Sequence, residues 1–504
     1  MPHYRVQKMT LEKLIEKLQS AEKQNEELSM KIAQLEAQIA WFKKHVFGSG
    51  KSERMDASQL LFDLEEARQQ VAENTRIVAE HERHVRAERK SLEERFENLP
   101  VSEVIDIIPE EVKADPELYE EVGQESSFQV EIDPPRLHKV VTVRRKYRHK
   151  LDRSRPLVVA AAPARLTESG YAGASLLAWI LVCKYLEHQP LYRIEKSSQR
   201  WGAQLPRQSM SDWVEKASFY LGSIYRLMES NLLNGGYLQL DETPIRYCDP
   251  DHKKGKTQQG WMWVRGRPQG NVVFSWKLSR RHDELSGLLK GYRGVVQSDG
   301  YDAYKNYVQE HKECVWVGCW AHARRKFNEA LPQHKRECAL MLTLISRLYR
   351  NEKLYREAGL SAQQRREARL KEAPRWLGRI RKVALYCQRK SLPKSALGQA
   401  VFYLLAHWES LTEWINHGEV EIDNNLIENA IRPSTIGKKN WLFIGHPGAG
   451  DKSAVIYSIV VSCQRHSIDP FAYLKDVLQK LPSMTNQDDL NPLLPNNWKP
   501  SIQV

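Results

Sequence analysis

The sequence predicts a multidomain protein, mainly α-helical, built around an α/β core, with an N-terminal coiled coil and a helical insertion inside the core. Three observations carry this expectation. Heptad spacing runs from Leu11 to Phe42, short apolar runs of strand composition gather after Gly236, and long charged helix-prone stretches flank and interrupt them. At 504 residues the chain exceeds one core, because domains run to roughly 100–200 residues each.

Leu11, Leu14, Leu18, Ala21, Asn25, Leu28, Ile32, Leu35, Ile39 and Phe42 follow alternating steps of three and four. Such spacing imposes a left-handed seam between helices, and one amide at an a position, Asn25, sets register and strand number. Segment 1–47 is therefore expected to be a self-association zipper; the plainer alternative is one amphipathic helix packed on its own domain. Residues 48–100, rich in Glu, Arg and Gln, read as an exposed helical spacer. Phe47-Gly-Ser-Gly-Lys-Ser and Gly445-His-Pro-Gly-Ala-Gly-Asp-Lys look like phosphate loops. Each misses a residue the motif needs, with His45 in place of Gly and Asp451 in place of Lys, so nucleotide-loop binding is not expected.

Over 101–165 the composition turns β-like at Phe128–Ile132 and Val140–Val143, with Pro134-Pro135 between them. Arg136 to Arg155 holds nine Lys or Arg against the single acid Asp152. This predicts a basic β-ribbon in which Arg144, Arg145 and Lys146 meet phosphates, or else a solvated charged face. Residues 166–235 read as helices at Leu176–Tyr185, Leu191–Arg200 and Ser209–Met228. A short Gly-containing turn joins two of them, making either a helix-turn-helix with Gln208, Ser209 and Ser211 at its reading end, or a plain packing layer.

The core is expected over 236–322 and 416–455. Tyr237 to Leu240 leads to Asp241, and Val295-Val-Gln-Ser leads to Asp299. Both aspartates follow an apolar run and precede a turn-prone residue, so each reads as the end of a buried strand. Gly260-Trp-Met-Trp-Val, Asn271-Val-Val-Phe-Ser-Trp and Cys314-Val-Trp-Val-Gly-Cys supply further strands, and Glu428 lies in a helical segment. Strands followed later by a glutamate-bearing helix fit the ribonuclease-H-like α/β fold. Two strand-end aspartates and a helix glutamate suit a pair of Mg²⁺ ions, which want carboxylate oxygens. Two such ions roughly 3.5–4 Å apart serve in-line phosphoryl displacement. Residues 323–415 are too long for a loop and read as a basic helical insertion. Its Arg365, Arg366, Arg369, Arg375, Arg379 and Arg381 either clamp a duplex or face solvent. Residues 456–504 form a helical tail.

Composition agrees with a polyanionic partner: the formal net charge is +13 and the pI about 9.2. Seven cysteines, scattered from Cys183 to Cys463, form no disulfide framework and favour a reducing cytoplasm. No stretch approaches the ~18 apolar residues of a membrane span, and no apolar signal region follows Met1.

Several ordered motifs point to one family. They are the heptads ending in Phe47-Gly and Ser52-Glu, Lys184-Tyr-Leu-Glu-His-Gln-Pro-Leu-Tyr-Arg, Leu240-Asp-Glu-Thr-Pro and Ser298-Asp-Gly-Tyr. Cys319-Trp-Ala-His-Ala-Arg-Arg-Lys-Phe, Asp423-Asn-Asn-Leu-Ile-Glu-Asn-Ala-Ile-Arg-Pro, Lys439-Asn-Trp-Leu-Phe and Ile468-Asp-Pro-Phe-Ala-Tyr-Leu continue the series. On these, the chain resembles the insertion-sequence-66 (IS-66) family of transposases, in the aspartate-aspartate-glutamate group, along nearly its whole length. The resemblance implies that Asp241, Asp299 and Glu428 are catalytic ligands of Mg²⁺, with Mn²⁺ as substitute. It implies transposon ends and target DNA as partners, small accessory proteins of the same element, and a bacterial, nucleoid-associated location. One departure stands out. Many members carry a Cys-rich zinc module between zipper and helical region, whereas this chain has no cysteine before Cys183. Module 101–165 is thus expected to hold no zinc, since a thiolate site needs several soft ligands. Cys314, Cys319 and His322 form another set, but one short of a fourth ligand.

Neighbouring residues receive lesser roles. Glu242 should point away from Asp241, and Asp423 should cap the glutamate helix. His322, Arg324 and Arg325 either hold DNA phosphates near the cut or make structural ion pairs. Arg432, Lys438 and Lys439 are placed to bind the transposon end. Two rivals share parts of this pattern: a silent DNA-binding regulator, and a ribonuclease-H-like nuclease acting on RNA–DNA hybrids.

Overall fold

The computed structural model describes residues 117, 137–147, 158–159, 163–166, 170–249 and 257–500. The expected zipper, the spacer and the strand at Phe128–Ile132 lie outside these residues. Ile132–Val504 form one compact unit, mainly helical around a mixed five-stranded sheet. Among the described residues no helix is long and apolar enough to cross a membrane.

The sheet contains β3 (Gly236–Tyr247), β4 (Gln258–Gly266), β5 (Val272–Lys277), β6 (Gly294–Ser298) and β7 (Cys314–Gly318), in the order β5-β4-β3-β6-β7. β5, β4 and β3 run antiparallel, while β3, β6 and β7 run parallel. β3 is the hinge between the two patterns. Its first residues, Gly236 to Gln239, pair with β6, and Gln239 to Tyr247 pair with β4. Asp241 is therefore not at a strand end, as the apolar run suggested. The strand continues to Tyr247 because β4 keeps its backbone groups hydrogen-bonded throughout. What ends near Asp241 is the pairing with β6. Gly294 opens that pairing at φ +133, where a Cβ would stand 2.1 Å from Gly236 O; only glycine permits this approach.

Two short strands, β1 (Lys146–Tyr147) and β2 (Val158–Val159), pair antiparallel. The strand expected at Val140–Val143 is absent. Val140, Val141 and Val143 are 82%, 78% and 73% exposed, and β-branched residues favour a strand only where a neighbouring surface covers them.

The three expected helices are present as α1 (Ala174–Tyr185), α2 (Leu191–Arg200) and α3 (Arg207–Leu233). Near the start of α3, Gln208 and Ser211 are exposed and Ser209 is half-buried. The other face of the helix buries Met210, Trp213, Ala217, Leu221 and Ile224. α4 (His282–Leu288) and α5 (Asp302–Glu310) follow β5 and β6. Then come α6 (Trp320–Ala330), α7 (Lys335–Glu357), α8 (Ala362–Lys390), α9 (Ala396–Ala406) and α10 (Trp408–Glu413). A Ser361–Gln364 capping box starts α8. α11 (Asn425–Trp441), α12 (Ala449–Arg465) and α13 (Pro470–Lys480) complete the order. α12 runs through the 455/456 boundary drawn from the sequence. It lies along the edge strand β5, where Ser462 Oγ and Ser458 Oγ accept the N–H groups of Val272 and Phe274 at 2.9 and 2.8 Å. An otherwise open sheet edge is thereby closed.

Candidate active site

Alternation along β3 sends Tyr237, Gln239 and Asp241 to one face of the sheet. Gln239 stands opposite Gln297 in the parallel register, and Asp241 and Asp299 each lie two residues further on. Parallel neighbours are about 4.8 Å apart, so the register alone sets the two aspartates side by side. Beneath them is a buried polar lattice. Tyr237 Oη donates to Gln297 Oε1, and Gln239 Nε2 donates to Tyr237 Oη at 2.8 Å and to Gln297 Oε1 at 3.0 Å.

The same amides bind the segment before α11. Gln239 Nε2 donates to Asp423 O at 3.1 Å, and Gln297 Nε2 to Glu421 O at 2.8 Å. Asn424, fully buried, donates from Nδ2 to Leu240 O at 2.7 Å. Residues 421–424 are thus fastened across β3 and β6, and the first turn of α11 carries Glu428 to the aspartates. Asp423 does cap this helix, but from one position further out than a usual N-cap. Asn424 is the cap residue, while Asp423 Oδ1 accepts Asn425 N–H at 3.1 Å.

The helices of 323–415 hold this segment from the other side. Arg369, fully buried, donates to both oxygens of buried Glu352 at 2.8 and 2.6 Å. It also donates to Trp414 O, His417 O and Val420 O, at 3.2, 2.6 and 2.8 Å. Arg365 donates to Glu421, and Arg366 to Asn416 O. Three of the six arginines read as a duplex clamp are therefore structural, while Arg375 and Arg379 lie over Trp376 and Arg381 over Trp408. Sequence reasoning could not separate them, because a buried arginine and an exposed one look alike in a helix of mixed charge. Gly418 completes the contact: a Cβ there would stand 1.7 Å from Ala362 O.

Electrostatically the site is short of positive charge. Burial, then the charges of Glu242, Glu428 and Asp299, hold the Asp241 carboxyl well above the ordinary range. Glu242 lies on the opposite face, as alternation requires, where it pairs with Arg280 and accepts from Tyr304 Oη. Arg280 also reaches Asp299 Oδ2 at 3.7 Å and stacks on the Tyr301 ring at 3.7 Å. Asp299 Oδ1 accepts Tyr301 N–H at 3.0 Å. On the far side, Arg325 donates to Glu428 Oε2 at 3.2 Å. His322 Nδ1 faces Glu428 Oε1 at 3.5 Å, yet neither atom has a hydrogen-bond partner. Burial lowers His322 despite the glutamate beside it. Converging carboxylates with an unpartnered oxygen fit a hard divalent cation.

Cys319, His322 and Glu428 offer donor atoms within 4.8 Å of one another. Cys319 Sγ already accepts Asn424 N–H at 3.3 Å, and burial pushes its thiol up. Cys314 is not in the group, since it donates to Tyr292 O from the other end of β7. Three donors are one short of a structural zinc site.

The remaining basic residues divide. Lys438 Nζ donates to Thr243 Oγ1 and Pro244 O at 3.0 and 2.9 Å, tying α11 to β3 rather than facing outward alone. Arg324 lies over the Tyr349 ring. Arg432 and Lys439 are exposed, as are Arg144, Arg145 and Lys146, which lie on or beside β1. Arg280, Tyr304 and Asn424 were missed by the sequence reading. The basic pair Arg280-Arg281 directly after a strand was the one available signal.

Three family models match successive parts of the chain. Residues 169–452 match a family model described as "Transposase IS66 family", and residues 458–496 match "IS66 C-terminal element". Residues 34–104 match "Transposase C of IS166 homeodomain". Similar curated proteins include the uncharacterized protein y4qI of Sinorhizobium fredii, 32% identical over 78% of this chain and 75% of the relative. The uncharacterized protein y4jD of the same organism is 30% identical over 75% of this chain and 76% of the relative.

Proposed function

The chain belongs to the IS66 family of transposases, and from that premise we propose that it cuts and joins DNA at the Asp241–Asp299–Glu428 cluster. The observation that carries the reading is the register. Asp241 on β3 and Asp299, one residue past β6, each follow the paired Gln239 and Gln297 by two positions, and the amides of that pair hold the segment from which α11 carries Glu428. Sheet order and the glutamate helix support a ribonuclease-H-like core over 236–322 and 416–455, with 323–415 as an inserted helical buttress.

Asp241, Asp299 and Glu428 would hold two divalent cations, Mg²⁺ or Mn²⁺, which activate an attacking oxygen and stabilise a leaving one. The chain's own groups do the rest. Arg280 neutralises Glu242 and orients Asp299. Arg325 and His322 flank Glu428, where Arg325 meets a non-bridging phosphate oxygen. Water attacks the phosphodiester at the element end, its P–O bond to the 3′ oxygen breaks, and a 3′-hydroxyl is left. That hydroxyl attacks a target phosphodiester, exchanging one P–O bond for another, so no nucleotide energy source enters. Positioning and fixed charge are the protein's contribution. Self-association through 1–47 and accessory proteins of the element complete the proposed assembly.

The test incubates the full chain with labelled DNA carrying the element ends, supercoiled target, and Mg²⁺ or Mn²⁺, beside Asp241→Ala and Glu428→Ala. Metal-dependent nicking and joining that vanish in both variants are expected. End binding with no cleavage, even after accessory proteins are added, would instead favour a silent regulator. Cleavage confined to RNA–DNA hybrids would favour the nuclease.

A further inference from the structure

The end of α11, the loop after it, α1 and α12 enclose a cavity of about 370 Å³, away from the acidic cluster. Its size lies within the roughly 300–1,000 Å³ of small-ligand sites. Three features mark it as built to receive something. Lys184 lines it, and among the described residues its ammonium meets no carboxylate, only the Tyr185 ring at 5.5 Å. Tyr457, 1% exposed, presents a hydroxyl with no hydrogen-bond partner. Trp441 and Phe443 form an aromatic wall, and Phe443 stays 41% exposed. Gly437, one turn before Trp441, keeps space for that ring: a Cβ there would stand 2.7 Å from Trp441 Nε1. Lys452 lies at the rim but is paired to Glu215 at 2.6 Å, so Lys184 is the cation left for a ligand.

An unpaired cation beside aromatic faces is the chemistry that takes a phosphate together with a base, because every base offers a π-face. We propose that this cavity seats one unstacked nucleotide of a bound DNA strand, with its base against Trp441 and Phe443 and its phosphate on Lys184. The assignment to DNA rests on the transposase reading. Burial lowers Lys184 to about 8, and a phosphate beside it would favour the charged form. α11 joins the cavity to the acids. Thirteen residues from Glu428 to Trp441, at about 1.5 Å each, span roughly 20 Å. The seated nucleotide therefore lies several positions along the strand from the cut.

The test measures binding of a 5-iododeoxyuridine-substituted single-stranded oligonucleotide to the full chain by anisotropy, then maps photo-cross-links by mass spectrometry. Lys184→Met and Phe443→Ala are compared with wild type, and deoxyadenosine monophosphate and inorganic phosphate serve as competitors. The expected result is a cross-link within 441–446 and about tenfold weaker single-strand binding in each variant. Millimolar mononucleotide should compete poorly. Unchanged affinity in both variants, or cross-links confined to other segments, would overturn the inference while leaving the transposase reading intact. Tight mononucleotide binding that excludes the oligonucleotide would replace the DNA strand with a free nucleotide. A wild-type chain that bound no DNA in either assay would sink the transposase reading and this one together.

Discussion

Glu352 and Arg369 lie fully buried between helices, and every nitrogen of the Arg369 guanidinium donates to Glu352 or to the carbonyls of Trp414, His417 and Val420. The acids at the sheet are half-buried, but among the described residues Asp241 is paired with no cation, and Glu428 leaves one oxygen without a hydrogen-bond partner. The first cluster is closed; the second is open to a ligand. Buried charge is costly unless it is compensated. A protein that compensates completely in one place and leaves the other incomplete is separating a structural joint from a site of chemistry.

That contrast breaks most sharply at the acids themselves. If Asp241 holds a metal ion as proposed, Asp241→Asn should lower strand cleavage by about 10³-fold or more, since several kcal/mol of charge stabilisation would go with the ion. The fold should survive, so cleavage assays and thermal melts must diverge. If both fall together, the site is structural.

Next is the joint. Arg369→Met leaves Glu352 buried and unpaired, at a cost of about 3–5 kcal/mol, read as a lower denaturant midpoint. Adding Glu352→Leu should recover most of it. Activity should return with stability, which would separate this arginine from the acids.

A smaller effect concerns pH without metal. The folded Asp241 carboxyl titrates well above its ordinary value of 3.8, so the folded state holds a proton that the unfolded state gives up. The stability this contributes is complete below 3.8 and is lost as pH rises through the raised folded value. In chelator, melting temperature should therefore fall over that window. Mg²⁺ or Asp241→Asn should flatten the fall, and a slope unchanged by either would assign it to other groups. Smallest of all, Arg432→Ala should lower the salt dependence of DNA binding by about one counterion if it touches a single phosphate.

Much of this was legible in the chain. Apolar runs located β4 to β7, and local context singled out Asp241 and Asp299 after apolar runs and Glu428 in a helical segment, as the family resemblance also implied. What sequence could not supply was partnership. Asp241 looked strand-terminal because the length of β4, which carries β3 onward, is a non-local fact. Val140–Val143 looked like a strand because composition cannot tell a covered valine from an exposed one. Arg369 and Lys438 looked like contacts for DNA because their acceptors, the Glu352 carboxylate, Thr243 and several main-chain oxygens, are brought to them only by the fold. Asn424 passed unnoticed between two more conspicuous acids, although it anchors the helix that bears one of them.

Gly418 makes the point in terms of heredity. Its hydrogen faces Ala362 O, where a methyl group cannot fit, and it sits in the segment that Arg369 grips before the chain reaches Glu428. An alanine here would push that segment off its support and displace a carboxylate ten residues downstream. A screen for lost transposition would then score position 418 with the acids, although it touches neither metal nor DNA. Copies of the element inactivated by so slight a lesion would still carry an intact triad, and inspection of the three acids alone would count them as live.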